Sequence, residues 1–158
     1  MSIWCGNAVD VRGRRGALRD RAAAARGRTT ILTDSPTLTG RRLLIVEDEY
    51  FIASDLKRAL EAHGMVVVGP VGRVADALAL IEREPIDIAT LDVNLGTAMC
   101  YPIAEQLKAR GVPFLFLTGY DGWTLPEWLR DVPLLIKPFD SAAVIAAVRA
   151  LCGLERVT

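Results

Sequence analysis

The chain of 158 residues has the size of one domain, and because 51% of its residues are hydrophobic it can bury a core without disulfides. Its net charge of zero hides a split: residues 1–42 carry nine Arg against three Asp, whereas residues 43–158 carry ten Lys or Arg against sixteen Asp or Glu. The three cysteines lack the paired spacings of zinc sites or disulfide frameworks. No apolar run approaches the ~20 residues of a membrane span, so we expect a cytoplasmic protein without a membrane partner.

Residues 1–40 form a segment rich in Arg, Ala and Gly, with little apolar periodicity from which a core could be built. We predict a basic, disordered N-terminal extension. Within residues 11–30 no aromatic side chain stands between the arginines to stack on bases, so the charge alone does not indicate nucleic-acid binding.

From residue 41 onward, short β-branched runs alternate with segments of helical periodicity. The predicted strands are residues 43–46, 65–69, 86–91, 113–118 and 134–136. The helices after strands one, two, three and five end near Gly64, Pro85, Gly111 and Gly153, and Asp140 is placed to cap the last of them. Residues 119–133 contain two Gly and two Pro, which permit only a short or irregular fourth helix.

Strands that alternate with helices predict right-handed crossovers and a parallel sheet covered on both faces. We therefore expect an α/β domain over residues 41–153, a flavodoxin-like (βα)5 three-layer sandwich with strand order 2-1-3-4-5, followed by a tail at 154–158. In such sheets the functional crevice lies at the carboxyl ends of the strands.

Polar side chains stand at the carboxyl ends of four predicted strands. Glu47 and Asp48 follow strand one, Asp92 follows strand three, Thr118 ends strand four and Lys137 follows strand five. Because the strands are predicted to be parallel, these five side chains should meet at one edge of the sheet.

Three carboxylates so placed repel one another, by about 3 kcal/mol for each pair at ~5 Å and an effective dielectric constant of 20. An all-oxygen cluster of this kind suits Mg²⁺, which takes a few protein ligands and keeps part of its hydration shell. An alternative is that Glu47 and Asp48 only cap the next helix. Capping does not explain why Asp92, Thr118 and Lys137 occur in the same pattern.

Four motifs resemble those of the receiver domains of two-component response regulators. They are LLIVEDE at 43–49, LDVNLG at 91–96, FLTG at 116–119 and IKPF at 136–139, and they follow the family order over about residues 41–153. The resemblance implies that Asp92 accepts a phosphoryl group from a phosphohistidine on a sensor histidine kinase or a phosphotransfer protein. A carboxylate is a known nucleophile for such a step.

The resemblance also implies roles for the neighbouring residues. Asp48, Asp92 and the backbone carbonyl of Asn94 would hold Mg²⁺, with Glu47 reaching it through water. Lys137 would pair with the phosphoryl oxygens and Thr118 would hydrogen-bond one of them, which agrees with the positioning and charge neutralisation that phosphoryl transfer requires.

The chain departs from the common receiver pattern in its last third. Leu134 stands where the family has an aromatic residue three positions before the lysine, so we do not expect the usual threonine-to-aromatic relay. The motif around Thr118 is similar to that of an atypical single-domain subgroup with a Phe-x-Phe-Ala-Thr-Gly-x-Tyr signature, whose members are partners of HWE-type histidine kinases. The phosphoryl group could signal instead by ordering residues 119–132, and Asn94 and Tyr120 could modulate its lifetime.

We therefore predict a stand-alone receiver, monomeric or weakly dimeric, that signals through protein contacts or acts as a phosphate sink. In this hypothesis the protein does not bind nucleic acid through an output domain. It catalyses only its own phosphorylation and dephosphorylation. One alternative is a phosphorylation-independent adaptor with the same fold. Another is a phosphotransferase or phosphatase acting on outside substrates, although Asn94 occupies the place of the second acid in the nucleophile loop of such enzymes.

Overall fold

A computed structural model describes residues 37–119 and 125–154. Its strands are β1 Arg42–Val46, β2 Val66–Val71, β3 Ile88–Asp92, β4 Phe114–Thr118 and β5 Leu134–Ile136. Its α-helices are α1 Tyr50–Ala62, α2 Val74–Arg83, α3 Tyr101–Ala109 and α4 Ser141–Leu151. Most of the predicted extension, together with Tyr120 and residues 155–158 of the predicted tail, lies outside the described residues.

The five strands form one sheet in the order β2-β1-β3-β4-β5, and all four neighbouring pairs are parallel. The predicted flavodoxin-like fold and strand order are therefore confirmed. The strand ends differ from the predictions by at most two residues, since β2 continues to Val71 and β3 begins at Ile88. In the described part of the segment between β4 and β5, the chain forms only a 3-10 turn at Glu127–Leu129, in agreement with the expected short fourth helix.

The sheet lies between two helical layers because its strands bury both faces. Side chains of Leu44, Leu91 and Phe116 pack in one apolar cluster with α2 and α3. Side chains of Ile45 and Leu115 pack in the other cluster with α1 and α4. This continuous burial explains why β1, β3 and β4 are almost wholly apolar rather than alternating.

Residues at both ends of the described chain complete the second of these clusters. Leu38 and Leu154 are buried in it, just outside the predicted domain range of 41–153. The segment at Leu38 is fixed by a hydrogen bond from the backbone N–H of Gly40 to the carbonyl of Gly64, two residues after the end of α1. Gly64 has φ +82°, which L side chains rarely adopt, and an added Cβ would lie 2.8 Å from Oγ1 of Thr39.

The border strands of the sheet are β2 and β5. Pro70 lies within β2, whereas Pro133 and Pro138 lie on either side of β5. Two side chains of β5, Leu134 and Ile136, are exposed. Among the residues for which the structure gives positions, no helix is both long and apolar enough to cross a bilayer.

Candidate functional site

Strand register brings the polar strand ends to one edge of the sheet. Val46 pairs with Leu91, Asp92 with Leu117, and Thr118 with Ile136. Glu47 and Lys137 directly follow β1 and β5, so both emerge beside Asp92, the last residue of β3. The edge is the carboxyl end of the sheet, where parallel α/β folds place their sites.

Lys137 is at the centre of this edge. Its Nζ donates a hydrogen bond to Oδ2 of Asp92 at 2.8 Å and lies 3.0 Å from Oε2 of Glu47. It also donates to Oε1 of Glu49 at 3.1 Å. Each of these three carboxylates offers an oxygen within 4.8 Å of the other two. The structure thus brings together three of the predicted residues and adds Glu49.

Glu47 is the most buried of these acids, with 3% of its surface exposed. Its Oε1 accepts a hydrogen bond from the backbone N–H of Glu49 at 3.0 Å, and its Oε2 forms an ion pair with Nζ of Lys137 at 3.0 Å. Burial raises the pKa of Glu47 to about 7, and repulsion from Asp92 adds to the effect, although the bonds from Glu49 and Lys137 oppose it. For Lys137, burial alone would lower the pKa, but hydrogen bonds to Asp92 and Glu47 outweigh burial and raise it.

Asp48 and Asn94 border the same space without touching Lys137. They line a cavity of about 220 Å³ together with Glu49, Asp92, Gly96, Gly119 and Lys137. The backbone N–H of Asn94 donates to Oδ1 of Asp92 at 3.1 Å, and Oδ1 of Asn94 accepts from the N–H of Gly96 at 3.1 Å. These bonds fix the loop after β3 and leave the carboxylate of Asp48 on the cavity wall.

Thr118 lies at the same edge, but its hydroxyl does not reach Asp92. Its Oγ1 donates to the carbonyl of Gly119 at 3.0 Å. Leu134 begins β5 and pairs in register with Phe116, and its side chain is exposed. Tyr120, the other predicted modulator, lies outside the described residues.

Glu49 is the residue that the sequence analysis missed. The signal was present, because Glu49 is the third acid of the EDE run, but an acid directly before a helix is easily explained as a cap. Glu49 is indeed the N-cap residue of α1, yet its side chain makes no capping hydrogen bond. The carboxylate extends to Lys137 instead.

The residues at this edge fit a divalent cation. Four carboxylates, those of Glu47, Asp48, Glu49 and Asp92, surround or border a space with one ammonium group. The single ammonium group, that of Lys137, contacts three of these carboxylates at once, so negative charge is in excess. Carboxylate oxygens with open space for water are the donors that Mg²⁺ takes in proteins.

A five-stranded parallel sheet with an acidic cluster and a lysine at its carboxyl edge is typical of receiver-type signalling domains. Residues 43–149 match the family described as the response regulator receiver domain. The chain therefore belongs to this family of two-component signalling domains, which confirms the resemblance predicted from the four motifs. The family consists of signalling domains rather than enzymes that act on outside substrates.

Two relatives show the extent of the similarity. The transcriptional regulatory protein PdtaR of Mycobacterium tuberculosis is 31% identical over 120 residues, which is 73% of this chain and 58% of PdtaR. The sensory transduction protein LytT of Bacillus anthracis is 30% identical over 68% of this chain and 46% of its own length. The chain thus spans about half the length of these curated relatives.

Solved structures extend the comparison. The solution structure of SdrG from Sphingomonas melonis Fr1 has 41% identity and a TM-score of 0.63, and the match covers 73% of this chain and 98% of the SdrG chain. A BeF3-activated conformation of SdrG from Pseudomonas melonis Fr1 has 44% identity and a TM-score of 0.60, over 73% of this chain and 98% of that one. The receiver domain of Erythrobacter litoralis PhyR has 22% identity and a TM-score of 0.65 over 76% and 95% of the two chains, a likeness of fold.

Proposed function

We propose that the protein is a cytoplasmic phosphoacceptor whose Asp92 takes a phosphoryl group from a phosphohistidine on a sensor histidine kinase or a phosphotransfer protein. A carboxylate oxygen of Asp92 forms a bond to phosphorus while the phosphorus–nitrogen bond of the donor breaks, and the donor imidazole keeps the electron pair. The observation that carries the proposal is the ion pair of the buried Asp92 carboxylate with Lys137 at 2.8 Å, on the wall of an open cavity.

Other residues of the cavity contribute charge and orientation. Lys137 is placed to neutralise phosphoryl oxygens on Asp92, since its Nζ already contacts that carboxylate. The hydroxyl of Thr118 donates a hydrogen bond to the carbonyl of Gly119. Once that bond is broken, the hydroxyl can donate to a phosphoryl oxygen instead. The N–H of Asn94 orients the Asp92 carboxylate through its hydrogen bond to Oδ1.

We assign Mg²⁺ to the part of the cavity away from Lys137. Asp48, Asp92 and the backbone carbonyl of Asn94 would hold the ion, and Glu47 would reach it through water. When bound, the ion supplies positive charge that neutralises phosphoryl oxygens. Asp48 and Asn94 both line the cavity, which supports this assignment.

A larger groove between α1 and the loop that joins β5 to α4 supports a binding site for a protein donor. The groove has a volume of about 650 Å³, and Glu49, Gly119 and Lys137 line both it and the cavity at Asp92. Beside it, in the first turn of α1, Tyr50 and Phe51 are 77% and 81% exposed. Two exposed aromatic side chains directly after Glu49, a residue of both the groove and the cavity, suit a protein donor such as an HWE-type kinase.

The domain would then signal through contacts with other proteins or drain phosphoryl groups from the kinase. The BeF3-activated conformation of SdrG supports a change of state in a chain 44% identical to this one. The match to the sensory transduction protein LytT supports a place in signal transduction.

Intact mass after incubation with acetyl phosphate and Mg²⁺ tests the proposal. The wild type should gain the mass of one phosphoryl group, and Asp92→Asn should gain none because an amide is a poor nucleophile. Chelation of Mg²⁺ should prevent the gain in the wild type. A wild type that stays unmodified would favour the adaptor hypothesis, and an equal gain in Asp92→Asn would show that another residue is the acceptor.

A further inference from the structure

We propose that Glu49 is a positioning residue, which holds Lys137 beside Asp92 in the unphosphorylated protein and competes with the phosphoryl group for that lysine. The inference rests on the proposed function, because it assigns a second role within the same site. Glu49 is the last residue of the first sequence motif, but neither the roles implied by the resemblance nor the assigned Mg²⁺ ligands use it.

The contact itself is unusual for a residue in this position of a helix. Glu49 is the N-cap residue of α1, where a side-chain oxygen commonly accepts a hydrogen bond from the first turn. Its carboxylate instead receives the Nζ of Lys137 at 3.1 Å, across 88 residues of sequence. The contact thus joins the start of α1 to the end of β5.

Glu49 approaches the other acids because of Lys137, not because the three of them form a cation site. Nζ of Lys137 lies 2.8 Å from Asp92, 3.0 Å from Glu47 and 3.1 Å from Glu49. A metal ion cannot occupy the centre of these three oxygens while the ammonium group is there. The contacts therefore assign Glu49 to Lys137 and leave the cation to the side of Asp48 and Asn94.

Phosphorylation of Asp92 would change which groups Lys137 contacts. The phosphoryl group brings negative charge that attracts Lys137 and repels the carboxylate of Glu49. The side chain of Glu49 is 62% exposed, so it can leave with little rearrangement, whereas that of Glu47 is fully buried. Once released, its charge remains next to the N-terminus of α1, which favours an anion.

Release of Glu49 from Lys137 would also affect the surface of the protein. Tyr50 and Phe51 directly follow Glu49, and their rings contact each other edge to face with centroids 5.6 Å apart. A change at Glu49 therefore acts on the exposed aromatic pair through one or two residues of backbone. This route needs neither an aromatic residue at position 134 nor movement of Thr118.

Binding of beryllofluoride in the presence of Mg²⁺ tests the inference, with Glu49→Gln compared with Glu61→Gln. Glu61 lies on the same helix, and its substitution changes the net charge equally, but it pairs with Lys57 rather than Lys137. Glu49→Gln should bind beryllofluoride about three- to fivefold more tightly, which is the upper range for an exposed charge pair, and should lose its phosphoryl group more slowly by a similar factor. Glu61→Gln should match the wild type.

Two further readouts separate a positioning role from the alternatives. The affinity for Mg²⁺ alone should change by less than about threefold in Glu49→Gln, since a lost metal ligand would cost much more. The NMR signal of the Lys137 ammonium group in the metal-free protein should shift in Glu49→Gln and stay in place in Glu61→Gln.

Equal beryllofluoride affinities for Glu49→Gln and Glu61→Gln would overturn the inference, and so would a tenfold loss of Mg²⁺ affinity, which would make Glu49 a metal ligand. Neither result would affect the assignment of Asp92 as the acceptor. A wild-type protein that neither binds beryllofluoride nor becomes phosphorylated would instead overturn the proposed function, and with it the role of Glu49.

Discussion

Lys137 places one positive charge among three carboxylates, so negative charge is in excess. The cost of this excess charge is greatest at Glu47. Glu47 is buried, and it shares the ammonium group of Lys137 with Asp92 and Glu49. Repulsion from the neighbouring carboxylate of Asp92 adds to the cost of its burial. In the metal-free protein this residue therefore opposes folding when it is ionised, and a bound cation would relieve the strain.

Glu47→Gln should stabilise the metal-free protein, increasingly as the pH rises. The pKa of Glu47 is raised from 4.5 to about 7 by burial, so the folded protein holds a proton that the unfolded chain loses above pH 4.5. The stability of the wild type should thus decline as the pH rises through this window, whereas neutral Gln is unaffected. We expect an advantage for Glu47→Gln of about 1 kcal/mol at pH 5 that grows to roughly 3 kcal/mol at pH 8, measured by urea unfolding with a chelator.

The matched control is Glu61→Gln, an exposed position on α1. Its unfolding free energy should follow that of the wild type at both pH values. Saturating Mg²⁺ should narrow the gap between wild type and Glu47→Gln at pH 8, because the ion stabilises the ionised carboxylate. If the unfolding free energies of the wild type and Glu47→Gln changed in parallel with pH, burial of Glu47 would not cost the stability that we assign to it.

The residues around Lys137 show how far sequence reasoning extends at this scale. Glu47, Asp92 and Lys137 were predicted to meet because parallel strands end at one edge, and their contacts agree. Glu49 was not predicted, because its contact depends on a side-chain direction that no periodicity encodes. The hydroxyl direction of Thr118, which donates to Gly119, is likewise set by local geometry and not by residue type.

At the scale of the elements, the loop after β2 supports the loop after β1. Gly72 follows β2, and a Cβ added to it would lie 2.9 Å from the Cα of Asp48 and 3.2 Å from its Cβ. No other residue type fits there without moving one of the two loops. The position of Asp48 on the cavity wall therefore depends on a glycine 24 residues further along the chain.

Gly72→Ala should weaken Mg²⁺ binding, because the backbone of Asp48 must shift by several tenths of an ångström. We expect about a tenfold loss of Mg²⁺ affinity by calorimetry and a similar decrease in the rate of labelling by acetyl phosphate. The control is Gly111→Ala, where φ is +67° and a Cβ meets no atom within 4 Å. That variant should lose about 1 kcal/mol of stability through its backbone and keep its Mg²⁺ affinity. Equal Mg²⁺ affinities for Gly72→Ala and the wild type would show that Asp48 tolerates the shift.

The strands and helices could be predicted because their patterns are strong. Buried runs such as residues 43–46 and 113–118 admit only a strand between turn signals, and Asp140 does cap α4 by accepting a hydrogen bond from the N–H of Ala143. The end of β2 was misplaced by two residues because Gly69 and Pro70 indicated a turn. Pairing with β1 continues to Val71 through an irregularity in register, a tertiary effect that the local sequence does not show.

At the scale of the whole molecule, the packed domain begins before its first strand. Leu38 is only 2% exposed and packs with Leu43, Leu60, Met65 and Leu154 in the cluster under α1 and α4. The four residues 37–40 therefore belong to the fold, although the sequence analysis placed them in the basic extension. Apolar periodicity could not reveal this, because Leu38 is a single apolar residue between turn-forming neighbours.

Removal of residues 1–36 should leave the domain stable and able to accept a phosphoryl group. Removal of residues 1–40 should cost about 3 kcal/mol of unfolding free energy, because it removes the buried Leu38 side chain. Urea unfolding of the two shortened proteins measures the difference. Leu38→Ala in the full chain is the matched control and should lose a similar amount; equal stability of the two shortened proteins would show that the Leu38 contact contributes little.

The prolines of the border strands limit how copies of the domain can aggregate. A sheet that is open at both sides is a template on which a further chain can add strand after strand. Pro70 in β2 has no N–H to donate, and β5 is three residues long with Pro133 before it and Pro138 soon after it. Each of these prolines shortens or interrupts the strand with which an incoming strand would have to pair. At high concentration the protein should therefore resist growth into fibrils, even though the side chains of Leu134 and Ile136 remain in contact with water.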